Sequence, residues 1–191
     1  MIDAIKLGKL LAEEVINEVG PCFYPAKFKP PHRGHYKAAM DLASRNYINR
    51  LYIIISSTTT EGITPEDALT VWKMYIGSNP KIVLQIADPI KHIMSYLHEN
   101  PSVDPVYIAA SDDETDDENY IQSLQDSFGD RVKAIPIHDK DGIISAPYVR
   151  NILKTGDFEE FSKTMPDEAY NKGKAPEIFK MLAPKVTDGQ E

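Results

Sequence analysis

The sequence has 191 residues and a single cysteine, Cys22, and it lacks several features that define whole classes of protein. One cysteine cannot form an internal disulfide, which excludes a disulfide-rich secreted scaffold and favours a reducing compartment. No apolar run approaches the roughly 18 residues that cross a bilayer, and glutamates interrupt residues 1–20, where a signal peptide would be apolar. We therefore expect a cytoplasmic protein without a membrane partner.

Positive charge is also scarce, with 21 basic residues against 29 acidic ones and a net charge of −8. Nucleic-acid binding relies on Lys and Arg to displace counterions, so we expect no nucleic-acid partner. Six acidic residues lie within 112–118, where acids stabilise the positive end of a helix dipole. The alternatives are that they repel wrong acceptors or contact a cationic substrate. Residues 26–37, in contrast, contain four basic residues and no acid. This basic segment in an acidic protein favours an anionic ligand.

Short apolar segments alternate with segments of helical periodicity along most of the chain. This alternation predicts an α/β fold, a Rossmann-like doubly wound five-stranded parallel sheet with helices on both faces. Ligands of such sheets bind at the carboxyl ends of the strands, near the point where the strand order reverses. The predicted strands are 21–28, 51–57, 81–87, 105–110 and 132–137, and the helices between them are 34–47, 65–77, 89–99 and 116–128.

The chain divides into three parts by its composition. We expect residues 1–20 to form an amphipathic helix that packs on the sheet or on a partner subunit, so a homo-oligomer is left open. We expect residues 21–168 to form the main domain, and residues 169–191 to form a C-terminal short helix and polar tail. In the main domain we interpret Trp72, Met74 and Tyr75 as packing residues.

The first predicted strand leads through His32, Gly34 and His35 into a helix. A helix start offers unpaired backbone N–H groups and the positive end of the dipole, and Gly34 allows a ligand to approach the backbone. His32 and His35 are three residues apart and can face the same point, which suits a polyphosphate. The alternatives are a surface loop with incidental histidines and a zinc site. One cysteine and the absence of a His-Glu-x-x-His motif argue against zinc, so we assign no metal ligand.

A second helix start follows the last predicted strand. Ser145 is placed as its N-cap, and Pro147 falls in the first turn, where a missing N–H costs nothing. Arg150 lies about a turn and a half into the helix, and its side chain leans back towards the start. Arg150 can therefore reach a phosphate held there, although an ordinary capped helix with a solvated arginine is the alternative.

These two segments resemble the two signatures of the nucleotidylyltransferase superfamily. The run AKFKPPHRGH at 26–35 resembles G-x-F-x-P-x-H-x-G-H, and ISAPYVR at 144–150 resembles I-S-x-T-x-x-R. Within the superfamily, the first run is most similar to the signature of archaeal and phage-type nicotinamide mononucleotide adenylyltransferases. The resemblance covers residues 20 to about 168. It implies a transferase that moves a nucleoside monophosphate, AMP from ATP in the first instance, to the phosphate of nicotinamide mononucleotide or a similar acceptor and releases pyrophosphate.

The resemblance also implies roles for individual residues. The histidines would stabilise charge on the α-phosphate, Ser145 and Arg150 would take the β- and γ-phosphates, and magnesium would arrive with the nucleotide. No protein nucleophile is needed, because the acceptor phosphate attacks in line. The implied catalytic residues are His32, His35, Arg150 and Lys29, and the implied nucleotide-binding residues are Ala26, Lys27, Phe28, Gly34, Ser145 and Ala146.

The sequence departs from the superfamily pattern at two positions. Ala26 replaces the first glycine, and Pro147 replaces a threonine whose hydroxyl would donate to phosphate. A catalytically degenerate nucleotide-binding module is therefore an alternative. Within the same chemistry, a CTP-dependent cytidylyltransferase or a phosphopantetheine adenylyltransferase is the other alternative. A class I aminoacyl-tRNA synthetase fragment is disfavoured by the length, the acidity and the absence of a K-M-S-K-S loop.

Overall fold

The structure is a computed structural model, and it describes residues 18–111, 115–137 and 144–187. Five strands form one parallel sheet in the order β3-β2-β1-β4-β5, which confirms the predicted Rossmann-like α/β fold. Residues 1–17 of the predicted N-terminal helix and residues 112–114 of the acidic run lie outside the described residues. The prediction of helix up to residue 20 is wrong at its end, because residues 18 and 19 are not helical and Gly20 begins β1. The strands are β1 Gly20–Ala26, β2 Ile48–Ser56, β3 Ile82–Ala87, β4 Val106–Ser111 and β5 Val132–Ile137.

Helices connect successive strands and continue after the last one. The four predicted helices between strands are present, with ends that differ by up to three residues from the predicted ones. A short 3-10 turn, Gly129–Arg131, precedes β5. In the described ranges the helices are α1 Arg33–Ser44, α2 Pro65–Ile76, α3 Pro89–Glu99, α4 Thr115–Phe128, α5 Ala146–Thr155, α6 Phe158–Lys163, α7 Asp167–Asn171 and α8 Ala175–Thr187.

The core has two layers because alternate side chains of the central strands point to opposite faces of the sheet. On one face, Phe23 of β1 packs with Ile93 of α3 and Leu124 of α4. On the other face, Cys22 packs in a larger cluster that includes Trp72 of α2. Burial in this cluster confirms the interpretation of Trp72 and Tyr75 as core residues; Met74 packs against it partly buried.

The strand order reverses at β1, which pairs with β2 on one side and with β4 on the other. The connection from β1 into α1 therefore begins at the edge of the sheet where α/β proteins bind ligands. β1 ends at Ala26, two residues earlier than predicted, because the chain leaves the sheet at Phe28, whose φ of 54° is left-handed. The basic segment 26–37 lies at this edge.

The C-terminal helix α8 packs into the larger core cluster through Ile178, Leu182 and Val186, all of which are buried. Its Lys185 Nζ lies 2.7 Å from Asp67 Oδ1 of α2. α8 is thus held against the same layer as α1 and α2, while the division of the chain at residue 168 stays a prediction. Within the described part of the chain, no helix is both long and apolar enough to span a bilayer.

Candidate functional site

The connection between β1 and α1 is anchored by an aromatic residue. Phe28 is buried, and its ring makes edge contacts with Tyr24 at 5.1 Å, Trp72 at 5.3 Å and His35 at 5.0 Å between centroids. Burial of an aromatic ring offsets the cost of its left-handed backbone. The buried ring of Phe28 therefore supports the imidazole of His35 through this edge contact. A direct contact of Phe28 with a nucleotide stays a prediction.

His32 and His35 cap the start of α1 by reciprocal hydrogen bonds. His32 is the N-cap residue, and its Nδ1 accepts from the backbone N–H of Gly34 at 3.2 Å. The Nδ1 of His35 accepts from the backbone N–H of His32 at 3.3 Å. The two rings stack with their centroids 3.7 Å apart. The spacing of three residues that suggested a shared ligand thus also forms a capping box, with histidines in both roles.

These hydrogen bonds fix the tautomers of both rings. Because each Nδ1 accepts from a backbone N–H, the hydrogen of each neutral imidazole lies on Nε2. Burial lowers the pKa of His35 well below its usual value, and the neighbouring His32 lowers it further. At neutral pH His35 is therefore an uncharged hydrogen-bond donor and not a cation.

The expectation of unpaired amides at the start of α1 is wrong for its first two residues. The backbone N–H of Arg33 donates to the carbonyl of Thr164 at 2.9 Å, and that of Gly34 donates to His32. Helix starts that are covered by other elements satisfy their amides internally. Anion binding at this helix start therefore depends on the imidazoles and on nearby cations more than on these two amides.

Lys29, predicted to be catalytic, is almost completely buried at 1% exposure. Its Nζ donates to the carbonyls of Lys27 at 2.8 Å and Ser56 at 3.0 Å, which ties the loop to the end of β2. Burial lowers the pKa of Lys29 to about 8, an effect partly offset by Glu66 and Asp67. Lys27, in contrast, is exposed at the rim. The structure thus gives Lys29 a supporting position, and a contact between either lysine and phosphate stays a prediction.

Arg150 joins the two motif segments directly. Its Nη1 donates to the carbonyl of Lys29 at 2.7 Å, across a sequence separation of 121 residues. Its Nε donates to Glu61 Oε1 at 2.8 Å, and Lys154 Nζ donates to Glu61 Oε2 at 2.6 Å. Arg150 therefore lies beside the histidine-bearing loop, and its alternative as a solvated arginine is excluded by its 9% exposure.

The start of α5 has the predicted cap. Ser145 is the N-cap residue and accepts from the backbone N–H of Tyr148 at 3.3 Å. Pro147 lies exposed in the first turn, where proline is tolerated. Contacts of Ser145 and Ala146 with phosphate, like those of Ala26 and Gly34 with the rest of a nucleotide, stay predictions.

Sequence reasoning missed three residues at this site. Glu61 and Lys154 form the ion pairs just described, and Tyr75 donates from Oη to the carbonyl of Pro31 at 3.1 Å, which supports the loop before His32. Burial raises the pKa of Tyr75 well above its usual value, so the hydroxyl keeps its proton. The spacing of Arg150 and Lys154, i and i+4 on one helix, is the signal that could have revealed the second cation.

The described residues contain no group of three or more His, Cys, Asp or Glu side chains arranged to hold a metal ion. The one carboxylate that contacts Arg150, Glu61, is already bound by two cations.

Comparison with known proteins gives a match in structure and none in sequence. No protein-family model matches the chain, and no curated protein matches it. The structure of Plasmodium falciparum nicotinic acid mononucleotide adenylyltransferase complexed with APC aligns with a TM-score of 0.57 and 14% identity, over 88% of this chain and 98% of that chain. The same protein complexed with NaAD aligns with a TM-score of 0.57 and 13% identity, over the same shares of the two chains. These chains share a fold.

Proposed function

We propose that this protein is an adenylyltransferase of the kind that serves NAD synthesis. An oxygen of the acceptor's phosphate attacks the α-phosphorus of ATP, the bond from the α-phosphorus to the bridging oxygen breaks, and pyrophosphate leaves. Nicotinamide mononucleotide is the acceptor favoured by the motif resemblance. Nicotinic acid mononucleotide is the acceptor named for the structural neighbours, one of which was solved with NaAD. The reaction needs no covalent enzyme intermediate.

The observation that carries this proposal is the convergence of the two helix starts. Arg150 of α5 donates to the backbone of Lys29, three residues before the stacked histidine that caps α1. Imidazole donors and a guanidinium thereby lie at one edge of the sheet, where a triphosphate can contact both. Preorganised donors of this type stabilise charge that develops during phosphoryl transfer.

The two parts of the site have different roles in this reaction. The Nε2–H of His35 donates to a non-bridging oxygen of the α-phosphate and stabilises it during attack. Arg150 binds the β- and γ-phosphates and stabilises the leaving pyrophosphate. Lys29 adds positive charge beneath the loop while its Nζ holds Lys27 and Ser56 together. Magnesium enters as part of the nucleotide substrate.

Incubation of the purified protein with ATP or CTP and each acceptor tests this function. We expect release of pyrophosphate and formation of a dinucleotide with ATP and a pyridine mononucleotide, the two acceptors being compared side by side. Turnover with CTP or phosphopantetheine alone would assign the chain to another member of the superfamily. No turnover with any pair would contradict catalysis.

A nucleotide-binding module without catalysis is the second candidate, and one observation favours it. The guanidinium of Arg150 is already paired with Glu61, and Pro147 offers no hydroxyl to a phosphate. In such a module ATP would bind without turnover. The variant Pro147→Thr, described in the Discussion, separates the two candidates.

We also propose a cytoplasmic location. The single cysteine, Cys22, is fully buried in the core, and burial raises the pKa of its thiol to about 12. A chain whose one cysteine is a free buried thiol, with no disulfide, is typical of proteins of a reducing compartment.

A further inference from the structure

Glu61 bridges two cations of α5 at the candidate site. It lies in the turn between β2 and α2, and each of its carboxylate oxygens accepts from a different side chain, Arg150 Nε at 2.8 Å and Lys154 Nζ at 2.6 Å. Hydrogen bonds from Lys154 and from Arg150 hold the pKa of Glu61 below its usual range. The carboxylate is therefore ionised at neutral pH and occupies a dicationic site.

The bridge faces solvent on one side. The side chains of Glu61 and Lys154 are 41% and 32% exposed, whereas that of Arg150 is 10% exposed. The ion pair between Glu61 and Lys154 is partly exposed on both sides and is therefore weak, because water solvates its separated charges well. An anion that arrives from solvent can therefore reach Lys154 Nζ first, and it can reach Arg150 Nε once the Glu61 carboxylate moves aside.

The backbone around Glu61 is fixed, although its side chain can move. Thr60 and Ile63 exchange backbone hydrogen bonds at 3.0 and 3.1 Å, and Ile63 is fully buried. Gly62 approaches α8 so closely that a Cβ would lie 2.0 Å from the carbonyl oxygen of Lys185. Release of the carboxylate therefore requires only rotation of the Glu61 side chain, with no rearrangement of the turn.

A phosphate group suits the same two nitrogens. It presents paired anionic oxygens as a carboxylate does, and it carries more charge. Arg150 also has Nη2, a third donor nitrogen that makes no hydrogen bond to the part of the chain that the structure describes. A phosphate can thus accept hydrogen bonds from both nitrogens that now bind Glu61, and from a further nitrogen of Arg150.

We propose that Lys154 binds the terminal phosphates of the nucleotide together with Arg150, and that Glu61 is an internal anion that occupies this pair until the triphosphate displaces it. This inference rests on the proposed function. It assigns Lys154 as a further binding residue and gives Glu61 a competing role. Removal of the negative charge at Glu61 then strengthens binding of terminal phosphates, and removal of the positive charge at Lys154 weakens it.

Direct binding, measured by calorimetry with ATP, inorganic pyrophosphate and AMP, tests the inference without relying on turnover. We expect Glu61→Gln to lower the Kd for ATP and pyrophosphate about two- to fivefold, the scale of an exposed ion pair. Lys154→Gln should raise both Kd values about tenfold, the scale of one charge-assisted hydrogen bond. AMP, which lacks the terminal phosphates, should bind all variants alike.

Matched controls are available at the opposite edge of the sheet, where Glu18 Oε2 lies 4.0 Å from Lys133 Nζ. Glu18→Gln and Lys133→Gln change the net charge equally and should leave every Kd unchanged.

Equal or weaker binding of pyrophosphate and ATP by Glu61→Gln would overturn the competing role of Glu61, and unchanged binding by Lys154→Gln would overturn the assignment of Lys154. If Glu61→Gln lowers the Kd and Lys154→Gln raises it while the protein shows no turnover, the result would support this inference and contradict the proposed catalysis. Absence of pyrophosphate and ATP binding in every variant would overturn the inference itself.

Discussion

The helix starts of α1 and α5 lie at the same edge of the sheet but hold their functional groups in different ways. At α1, His32 and His35 are fixed by hydrogen bonds to the backbone within the first turn. At α5, Arg150 is fixed by acceptors 89 and 121 residues away, and Lys154 shares the nearer one. One helix start presents imidazole donors fixed by local hydrogen bonds, with His35 uncharged, and the other presents cations that depend on the rest of the fold.

This difference assigns the two regions to different parts of the reaction. An uncharged donor adds little to the binding of the substrate in its ground state, but its hydrogen bond strengthens as negative charge develops on the α-phosphate. Loss of such a donor therefore affects kcat. Cations bind a triphosphate by its charge, which affects KM and the dependence on salt. Substitutions at α1 and α5 should therefore have separable kinetic effects.

The largest effect is expected at α1. His35→Ala should lower kcat about 10²- to 10³-fold, the usual cost of deleting one preorganised transition-state contact. His98→Ala, which removes from α3 a ring that contacts Phe128 of α4, is the matched control and should leave kcat unchanged. An unchanged rate for His35→Ala would remove this residue from the site.

Substitution at α5 should act on binding. Arg150→Ala should raise the KM for the triphosphate about 10- to 100-fold, since a hydrogen bond between charged groups contributes about 1.5 to 3 kcal/mol. The increase should shrink at high salt, whereas the kcat effect of His35→Ala should not. Equal affinity in the variant and the parent would refute the role of Arg150.

Lys29 connects the two regions, and its burial predicts a pH-dependent stability. Its folded pKa is about 8, below the ordinary value of 10.5, so the unfolded chain binds more protons between these pH values. The free energy of unfolding should therefore gain a contribution that rises with pH from about 8 to 10.5, at most about 1.4 kcal/mol per pH unit. Denaturant titrations should lose this slope in Lys29→Met and keep it in Lys133→Met.

The smallest effect is expected at Pro147. A threonine there restores a hydroxyl donor, so Pro147→Thr should raise kcat/KM no more than about tenfold in an active enzyme, as one neutral hydrogen bond contributes about 0.5 to 1.5 kcal/mol. Steady-state kinetics of the parent and the variant make this comparison. Activity that arises only in the variant would contradict catalysis by the parent and favour the binding module.

The same contrast explains how much the sequence alone could predict. The strand and helix pattern and the cap at Ser145 depend on residues within a few positions of each other, so hydrophobic periodicity and helix-start residues were sufficient. Glu61 lies in a polar turn whose sequence, TTTEGIT, resembles many others, and only packing of α5 and α8 brings it to Arg150. The carbonyl of Thr164 likewise reaches the N–H of Arg33 only through packing between distant parts of the chain. The expectation of unpaired amides at the start of α1 was therefore wrong.

The central claim is that the imidazoles of α1 and the guanidinium of α5 contact one triphosphate, and a crystal structure of the protein with ATP tests it most directly. The account predicts the α-phosphate within hydrogen-bond distance of His35 Nε2 and the terminal phosphates on Arg150, with the Glu61 side chain rotated away. A nucleotide bound elsewhere, or one whose phosphates contact only one of the two helix starts, would contradict the account.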